Sequence, residues 1–192
     1  MNRTEPSGDL ADTATQTNWY VITGAPCSGK TSVIEGLADR GHRVVREVAR
    51  AFIDRQLAEG LALSEIKADI LAFERKILLE KVRIENELPG SQTVFLDRAV
   101  PDSIAYFQIE GLDIAEPLRY SQSARYRKVF LFERLTFEKD RVRSENHALA
   151  NRIEGLLAKS YAMLGYKVIG VPLLTIDQRI DFVLAHCYPL MS

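Results

Sequence analysis

Eight consecutive residues have the types and spacing to hold a phosphate. Gly24, Ala25, Pro26, Cys27, Ser28, Gly29, Lys30 and Thr31 fit the pattern G-x-x-x-x-G-K-[ST]. In that pattern successive backbone N–H groups form a concave anion nest, and the N-terminus of the following helix adds unpaired donors and a positive dipole end. Gly24 and Gly29 permit backbone angles and a close approach that a side chain would block. Lys30 is expected to reach the β- and γ-phosphates, Thr31 to ligate Mg²⁺, and Ser32 to belong to the same nucleotide site. The motif says what is bound, a nucleoside triphosphate, and leaves open what happens to it. Cys27 sits where a helix N-terminus can lower a thiol pKa, although a small residue that fits the loop is the plainer account.

A second set of residues could act on the phosphate so held. Asp97 closes the apolar run Thr93, Val94, Phe95, Leu96. A carboxylate at a strand end can hold the Mg²⁺ shell or take a proton from an attacking hydroxyl; it can also simply cap the next helix. Arg98 beside it suits an acceptor or a phosphate, or a salt bridge across the strand ends. Glu47 and Arg50 lie one helical turn apart and could face one ligand, or pair with each other. Asp102 follows Pro101 in a first helical turn, where an acidic residue suits the helix dipole whatever its function; a substrate contact is the functional alternative. Residues 133–145 are charged and include Arg134, Arg141 and Arg143. Phosphoryl transfer needs charge stabilisation on the migrating group and exclusion of water. A mobile, arginine-bearing lid supplies both, whereas an exposed helix end supplies neither. His42, His147 and His186 show no triad or metal spacing.

These residues need elements to position them. Trp19, Tyr20, Val21 and Ile22 predict a buried strand, and Val33, Ile34, Leu37 and Ala38 recur at helical spacing. A strand is expected over 42–47 and a helix over 48–59. A long helix over 64–88 follows, with Ser64 as its N-cap. Strands over 93–97, 129–132 and 167–171 alternate with helices after Pro101 and over 148–164. Thr175 and Gln178 form a capping box for the last helix. Five apolar strands alternating with helices predict an α/β fold of three layers, a five-stranded parallel sheet with helices on both faces. Ligands in such sheets bind beyond the C-terminal strand ends. That rule gathers residues 24–31, Glu47, Asp97, the 133–143 segment and Pro172 at one edge. Pro172, Arg134 and Arg141 are then assigned to nucleotide binding, and Glu47, Arg50, Arg98 and Asp102 to a second substrate.

The 192 residues are 46% hydrophobic and 27% charged, with a net charge of -1. That suits one domain with a sizeable core. Residues 18–192 are read as that domain and the polar residues 1–17 as a disordered tail. No Lys/Arg run suggests a nucleic-acid partner, and no apolar stretch is long enough to span a membrane. Cys27 and Cys187, without metal-ligand spacing, fit a reducing cytoplasmic setting.

In order along the chain, residues 21–31, 47–50, 95–102, 140–145 and 165–172 resemble those of the small AAA-type ATPase/kinase-like family related to the TRPL translocation-defect protein. More distantly they are similar to the ribosylnicotinamide kinase domain of NAD biosynthesis and to nucleoside and thymidylate kinases. The likeness covers nearly everything after Asn18. It implies a kinase-like P-loop fold with a lid, binding ATP or GTP with Mg²⁺. Family members tend to carry a small residue or glycine where this chain has Arg141. An Asn-Lys-x-Asp guanine-reading motif is absent.

The expected activity is transfer of the γ-phosphoryl group of ATP to a small hydroxyl-bearing, nucleoside-like acceptor. Lys30 and Thr31 would hold phosphate and Mg²⁺, Asp97 or Glu47 would activate the acceptor, and Arg143 with Arg134 or Arg141 would close over the phosphates. The alternative is a nucleotide-dependent switch with slow hydrolysis. A pocket beside the γ-phosphate lined by Glu47, Arg50 and Arg98 separates the two, because only the kinase needs it.

Overall fold

The computed structural model describes residues 15–134 and 144–188. In chain order its elements are β1 (Thr15–Gln16), β2 (Trp19–Thr23), α1 (Lys30–Asp39), β3 (Arg43–Val45), α2 (Val48–Ala58), α3 (Leu63–Ile66), α4 (Ile70–Glu87), β4 (Val94–Asp97), α5 (Asp102–Ile109), α6 (Ala115–Tyr120), β5 (Ala124–Arg125), β6 (Lys128–Phe132), α7 (Ser144–Met163), β7 (Val168–Val171) and α8 (Ile176–Cys187). Five strands form one sheet in the order β3, β4, β2, β6, β7, with every pairing parallel. The all-parallel, five-stranded sheet expected from the alternation of apolar runs is therefore present.

Alternation along β2 divides the core. Tyr20 and Ile22 pack on one face with Val33, Ile34 and Leu37 of α1 and Ile180 and Val183 of α8. Trp19 and Val21 pack on the other with Val94, Leu96, Tyr126 and Tyr161 of α7. Because β2 lies between β4 and β6, the connection from it runs to one side and later strands to the other. The crevice at this reversal of strand order lies at the C-terminal end of β2, where the phosphate loop begins.

Three local features depart from the sequence expectation. The long helix over 64–88 is broken: Ser64 lies inside the short α3, and α4 begins only after Asp69, whose carboxylate accepts from the Ala72 N–H at 2.9 Å. A charged acceptor at a helix N-terminus outcompetes a seryl hydroxyl further back. Residues 15–17, read as part of a tail, are ordered. Thr15 and Gln16 pair in parallel with Ala124 and Arg125, and the Thr17 hydroxyl donates to the Arg125 carbonyl at 2.9 Å. Finally, α6 and β5 interrupt the stretch between α5 and β6, where no element was expected.

Asp102 corrects a site assignment. Placed by sequence at the acceptor, it is instead fully buried, 0% exposed, at the start of α5. Its carboxylate accepts from the Thr23 hydroxyl at 2.5 Å, the Ala99 N–H at 3.0 Å, Arg98 Nη1 at 3.3 Å and the Tyr161 hydroxyl. Burial alone would raise its pKa, but the charges of Lys81 and Arg98 outweigh that and hold it below the usual carboxylate range. With both oxygens engaged and no solvent path, it ties β2, α5 and α7 together rather than touching substrate. Removing one partner of a buried charge network leaves the others uncompensated, at a cost of about 3–5 kcal/mol. Asp102→Ala is therefore expected to lower the urea unfolding free energy by that amount; a loss under about 1 kcal/mol would contradict the role.

Candidate active site

The loop after β2 is shaped by backbone it could not adopt with ordinary residues. Gly24 has φ 145, and a Cβ there would stand 2.7 Å from the Phe132 carbonyl oxygen at the end of β6. Gly29 has φ 82 and caps α1 without any side-chain bond, so the first N–H groups of the helix stay open to an anion. Ala25 and Ser28 are buried beneath the loop; Pro26, Cys27, Thr31 and Ser32 are exposed on it. Cys27 holds a positive φ of 61, an arrangement rare outside glycine and common at ligand clamps.

Lys30 lies across this cradle. Its ammonium donates to the Ala25 carbonyl at 2.9 Å and the Ser28 hydroxyl at 3.0 Å. Burial, helped by the positive charge of Arg98, lowers its pKa to about 8. A lysine with its charge disfavoured gains most from an incoming polyphosphate.

Asp97 ends β4 in register with Ile22 of β2. It is 2% exposed, and its Oδ1 has no hydrogen-bond partner. Burial first, and then the negative charge of Glu47, raise its pKa to about 6. The unpartnered buried oxygen of Asp97 and the exposed hydroxyl of Thr31 are the donor types expected for a magnesium ion shared with phosphates. No cluster of three or more His, Cys, Asp or Glu able to hold a metal by itself occurs among the described residues.

Arg98 is the hinge of the site. It takes φ 66, its side chain is 4% exposed, and it bonds Glu47 Oε1 through Nε at 3.0 Å and Asp102 through Nη1. Its guanidinium lies 5.2 Å from the Tyr106 ring centroid. Of the sequence alternatives for Arg98, a ligand contact or a salt bridge across the strand ends, the structure has the salt bridge, with Glu47 as its partner. Glu47, whose second oxygen bonds nothing among the described residues, lines the cavities at this edge. Arg50 does not pair with Glu47. It is exposed and bonds Asp54 at 2.9 Å, one turn on along α2.

Two adjoining cavities occupy this edge of the sheet. An inner one of about 420 Å³ is lined by residues 26–31 with Glu47, Arg98 and Tyr106. An outer one of about 350 Å³ runs between α2, α4, α5 and α7; Glu47, Arg98 and Tyr106 line it too, joined by Arg50, Phe73, Ile77 and Ile153. A phosphate-sized nest thus opens directly into a second pocket, with Glu47 at the junction.

At the ends of β6 and β7 the sequence placed Arg134 and Pro172. Arg134 is half-buried, with Nη1 unpartnered among the described residues. Arg141 and Arg143 lie outside those residues. The Pro172 carbonyl receives Arg179 Nε at 3.1 Å. Sequence reading missed Arg179, which is 2% exposed and also donates to the Ser28 carbonyl at 2.6 Å and the Glu133 carbonyl at 3.4 Å. It braces the phosphate loop against β6 and β7. Its only signal was a cation in the apolar stripe of α8, between Ile176 and Ile180. Missed too were Glu74 and Lys81, buried charges on α4 that line the outer cavity, and Tyr106.

A central parallel sheet, a phosphate loop after its middle strand and a second pocket across the strand ends define a P-loop protein of the kinase-like class. A family model described as an AAA domain matches residues 19–179, and the chain belongs to that family. No curated protein is similar enough in sequence to match. Among solved structures of similar fold is the NadR protein in complex with NR, at TM-score 0.64 and 19% identity over 94% of this chain and 52% of that one. This chain thus spans about half the length of NadR. Thymidylate kinase from Ehrlichia chaffeensis aligns at TM-score 0.61 and 14% identity, over 90% and 98% of the two chains. Deoxyadenosine kinase from M. mycoides aligns at 0.54 and 14%, over 88% and 97%. At these identities the likeness is one of fold.

Because the folded protein raises the pKa of Asp97 to about 6, above its ordinary value of 3.8, the folded state binds the proton more tightly than the unfolded chain. Its contribution to stability is fully present below pH 3.8 and is lost as pH rises through about 6. Asp97→Asn, neutral throughout, is therefore expected to melt higher than wild type at pH 8 without ligand, the gap narrowing toward pH 4. Thermal melts across that range check it; an Asn variant less stable at pH 8 would refute the buried charge.

Proposed function

We propose that this protein is an ATP-dependent phosphotransferase acting on a small, hydroxyl-bearing acceptor of nucleoside-like size. The observation that carries this is the outer cavity, which opens onto the phosphate cradle through Glu47, Arg98 and Tyr106. A switch that only hydrolyses nucleotide has no use for a second enclosed pocket there. The kinases among proteins of similar fold support the same reading.

The residues divide the work as follows. The loop N–H groups, Lys30 and Ser32 hold the triphosphate; Thr31 and Asp97 hold Mg²⁺, which when bound neutralises charge across the β- and γ-phosphates. Glu47 lines both cavities and Asp97 lines neither, so Glu47 is the better placed to accept the acceptor's proton. Arg98 keeps Glu47 oriented, and with Nε and Nη1 already bonded to Glu47 and Asp102 it offers less to a phosphorylated acceptor. That favours an alcohol as the acceptor group. Arg50 stands at the outer rim, while Arg134 and Pro172 flank the nucleotide end. From sequence alone, Arg143, with Arg141 nearby, is assigned to the charge that develops on the transferred group. Catalysis is then positioning and electrostatics. ATP is the preferred donor, GTP the alternative, and a cytoplasmic enzyme of one domain over residues 18–192 is the simplest setting.

The test is acceptor-stimulated ADP release across nucleosides, sugars and cofactor precursors. At least one should raise turnover well above slow hydrolysis; if none does, the switch is the better reading. Mg-ATP should raise the melting temperature of wild type by mass action, and Lys30→Ala should lose most of that shift while its ligand-free melt stays close to wild type. With an acceptor in hand, Glu47→Gln should lower turnover roughly 10²-fold or more with ATP affinity little changed. An active Glu47→Gln beside a dead Asp97→Asn would exchange the two carboxylates. Arg143→Ala should also lower turnover by roughly 10²-fold or more, and ADP affinity by less than about tenfold; single-turnover transfer beside ADP titration decides it.

A further inference from the structure

One guanidinium holds three segments of the nucleotide end together. Arg179, near the start of α8 and 2% exposed, donates to the Ser28 carbonyl at 2.6 Å, the Pro172 carbonyl at 3.1 Å and the Glu133 carbonyl at 3.4 Å. These three residues follow β2, β7 and β6, which are neighbours in the sheet. A planar fork of several N–H groups can meet three such acceptors at once. Its guanidinium carbon also lies 5.4 Å from the Phe132 ring centroid, so the fork is held on its face as well as at its edges.

The bond to Ser28 bears on the chemistry. A trans peptide is flat, so its C=O and the N–H that follows point in opposite directions. With the Ser28 carbonyl turned to Arg179, the Gly29 N–H is turned the other way. That N–H bonds nothing among the described residues, and Gly29 lines the inner cavity. Gly29 takes φ 82, yet glycine accepts either sign of φ. The Ser28–Gly29 peptide can therefore flip and present its oxygen where its N–H now stands. An oxygen there would repel a phosphate that the N–H would bind. Two side chains hold Ser28 against the flip. Lys30 donates to its hydroxyl at 3.0 Å, and Arg179 donates to its carbonyl. A phosphate that draws the Lys30 ammonium to itself removes the first hold. The second remains, and no other bond to that carbonyl occurs among the described residues.

We propose that Arg179 is a positioning residue for nucleotide binding: by fixing the Ser28–Gly29 peptide it keeps the phosphate loop in its anion-binding orientation without touching the ligand. This rests on the loop being the phosphate site, and on nothing about the acceptor or the transfer step. The hold acts on the phosphates rather than the base, so a free polyphosphate feels it as a nucleotide does.

Calorimetric titration of the full chain, well below its melting temperature, with Mg-ADP and with magnesium tripolyphosphate tests it. Tripolyphosphate has no base, so it reads the loop apart from the turn at Pro172. Arg179→Met should bind both about tenfold or more weaker than wild type, the scale of one hydrogen bond to a charged group. Val183→Ala opens a cavity one turn further along the buried face of α8. It should lower the melting temperature yet bind both ligands as wild type does, which a general loosening of α8 would not allow. Should Arg179→Met not fold, Arg179→Lys, which keeps the charge and loses the fork, is judged by the same figure. A smaller loss for tripolyphosphate, a loss confined to Mg-ADP, or an equal loss in Val183→Ala overturns the inference. Wild type that binds neither ligand removes the phosphate site and the inference together. Wild type that binds both, beside an Arg179 variant that matches it, removes the inference and leaves the phosphate site standing.

Discussion

A buried carboxylate must be met from every side, and at Asp102 that requirement organises the molecule. Thr23 reaches it from the end of the central strand, the Ala99 N–H and Arg98 from the β4–α5 turn, and Tyr161 from α7. None of these partners can move far without stranding a charge in the core. The constraint fixes Arg98, Arg98 fixes Glu47, and Glu47 stands where the two cavities meet. A structural residue with no path to solvent thus sets the position of the carboxylate that lines both cavities.

The same network explains the strained backbone nearby. Arg98 adopts a left-handed φ of 66, and its N–H bonds the Ile22 carbonyl at 3.0 Å. Such a conformation costs of order 1–3 kcal/mol in a residue with a side chain. Here it aims the guanidinium back between Glu47 and Asp102, and the ion pairs hold it there. Strain, buried charge and an unpartnered oxygen at Asp97 all concentrate at one end of the sheet.

How much of this was legible in the sequence follows from which signals are local. The phosphate loop, the five apolar strands of the main sheet and the α8 capping box are spelled by neighbouring residues, and the structure has them. The break at 67–69 was hidden because Lys67, Ala68 and Asp69 include no glycine or proline, and only the competition between two caps decides it. Asp102 carried a surface-type signal, an acid in a first helical turn, and its true partners lie up to 79 positions away. Lys81, Glu74 and Arg179 were invisible for the same reason: a charged residue within a helical stripe looks solvated until the partner element arrives.

Arg179 has a consequence for how the protein is made. The phosphate loop is encoded near the start of the chain, yet one of its carbonyls, that of Ser28, is held by a residue 151 positions later. At roughly 5–20 residues per second, a ribosome finishes the loop about 8–30 seconds before it supplies the brace. For most of that interval β6 and β7 are also missing from the sheet, and throughout it the close seat of Ile180 against Gly36 is empty. The nucleotide site therefore belongs to the finished chain alone, and a truncation that removes α8 would forfeit it while leaving every residue of the motif in place.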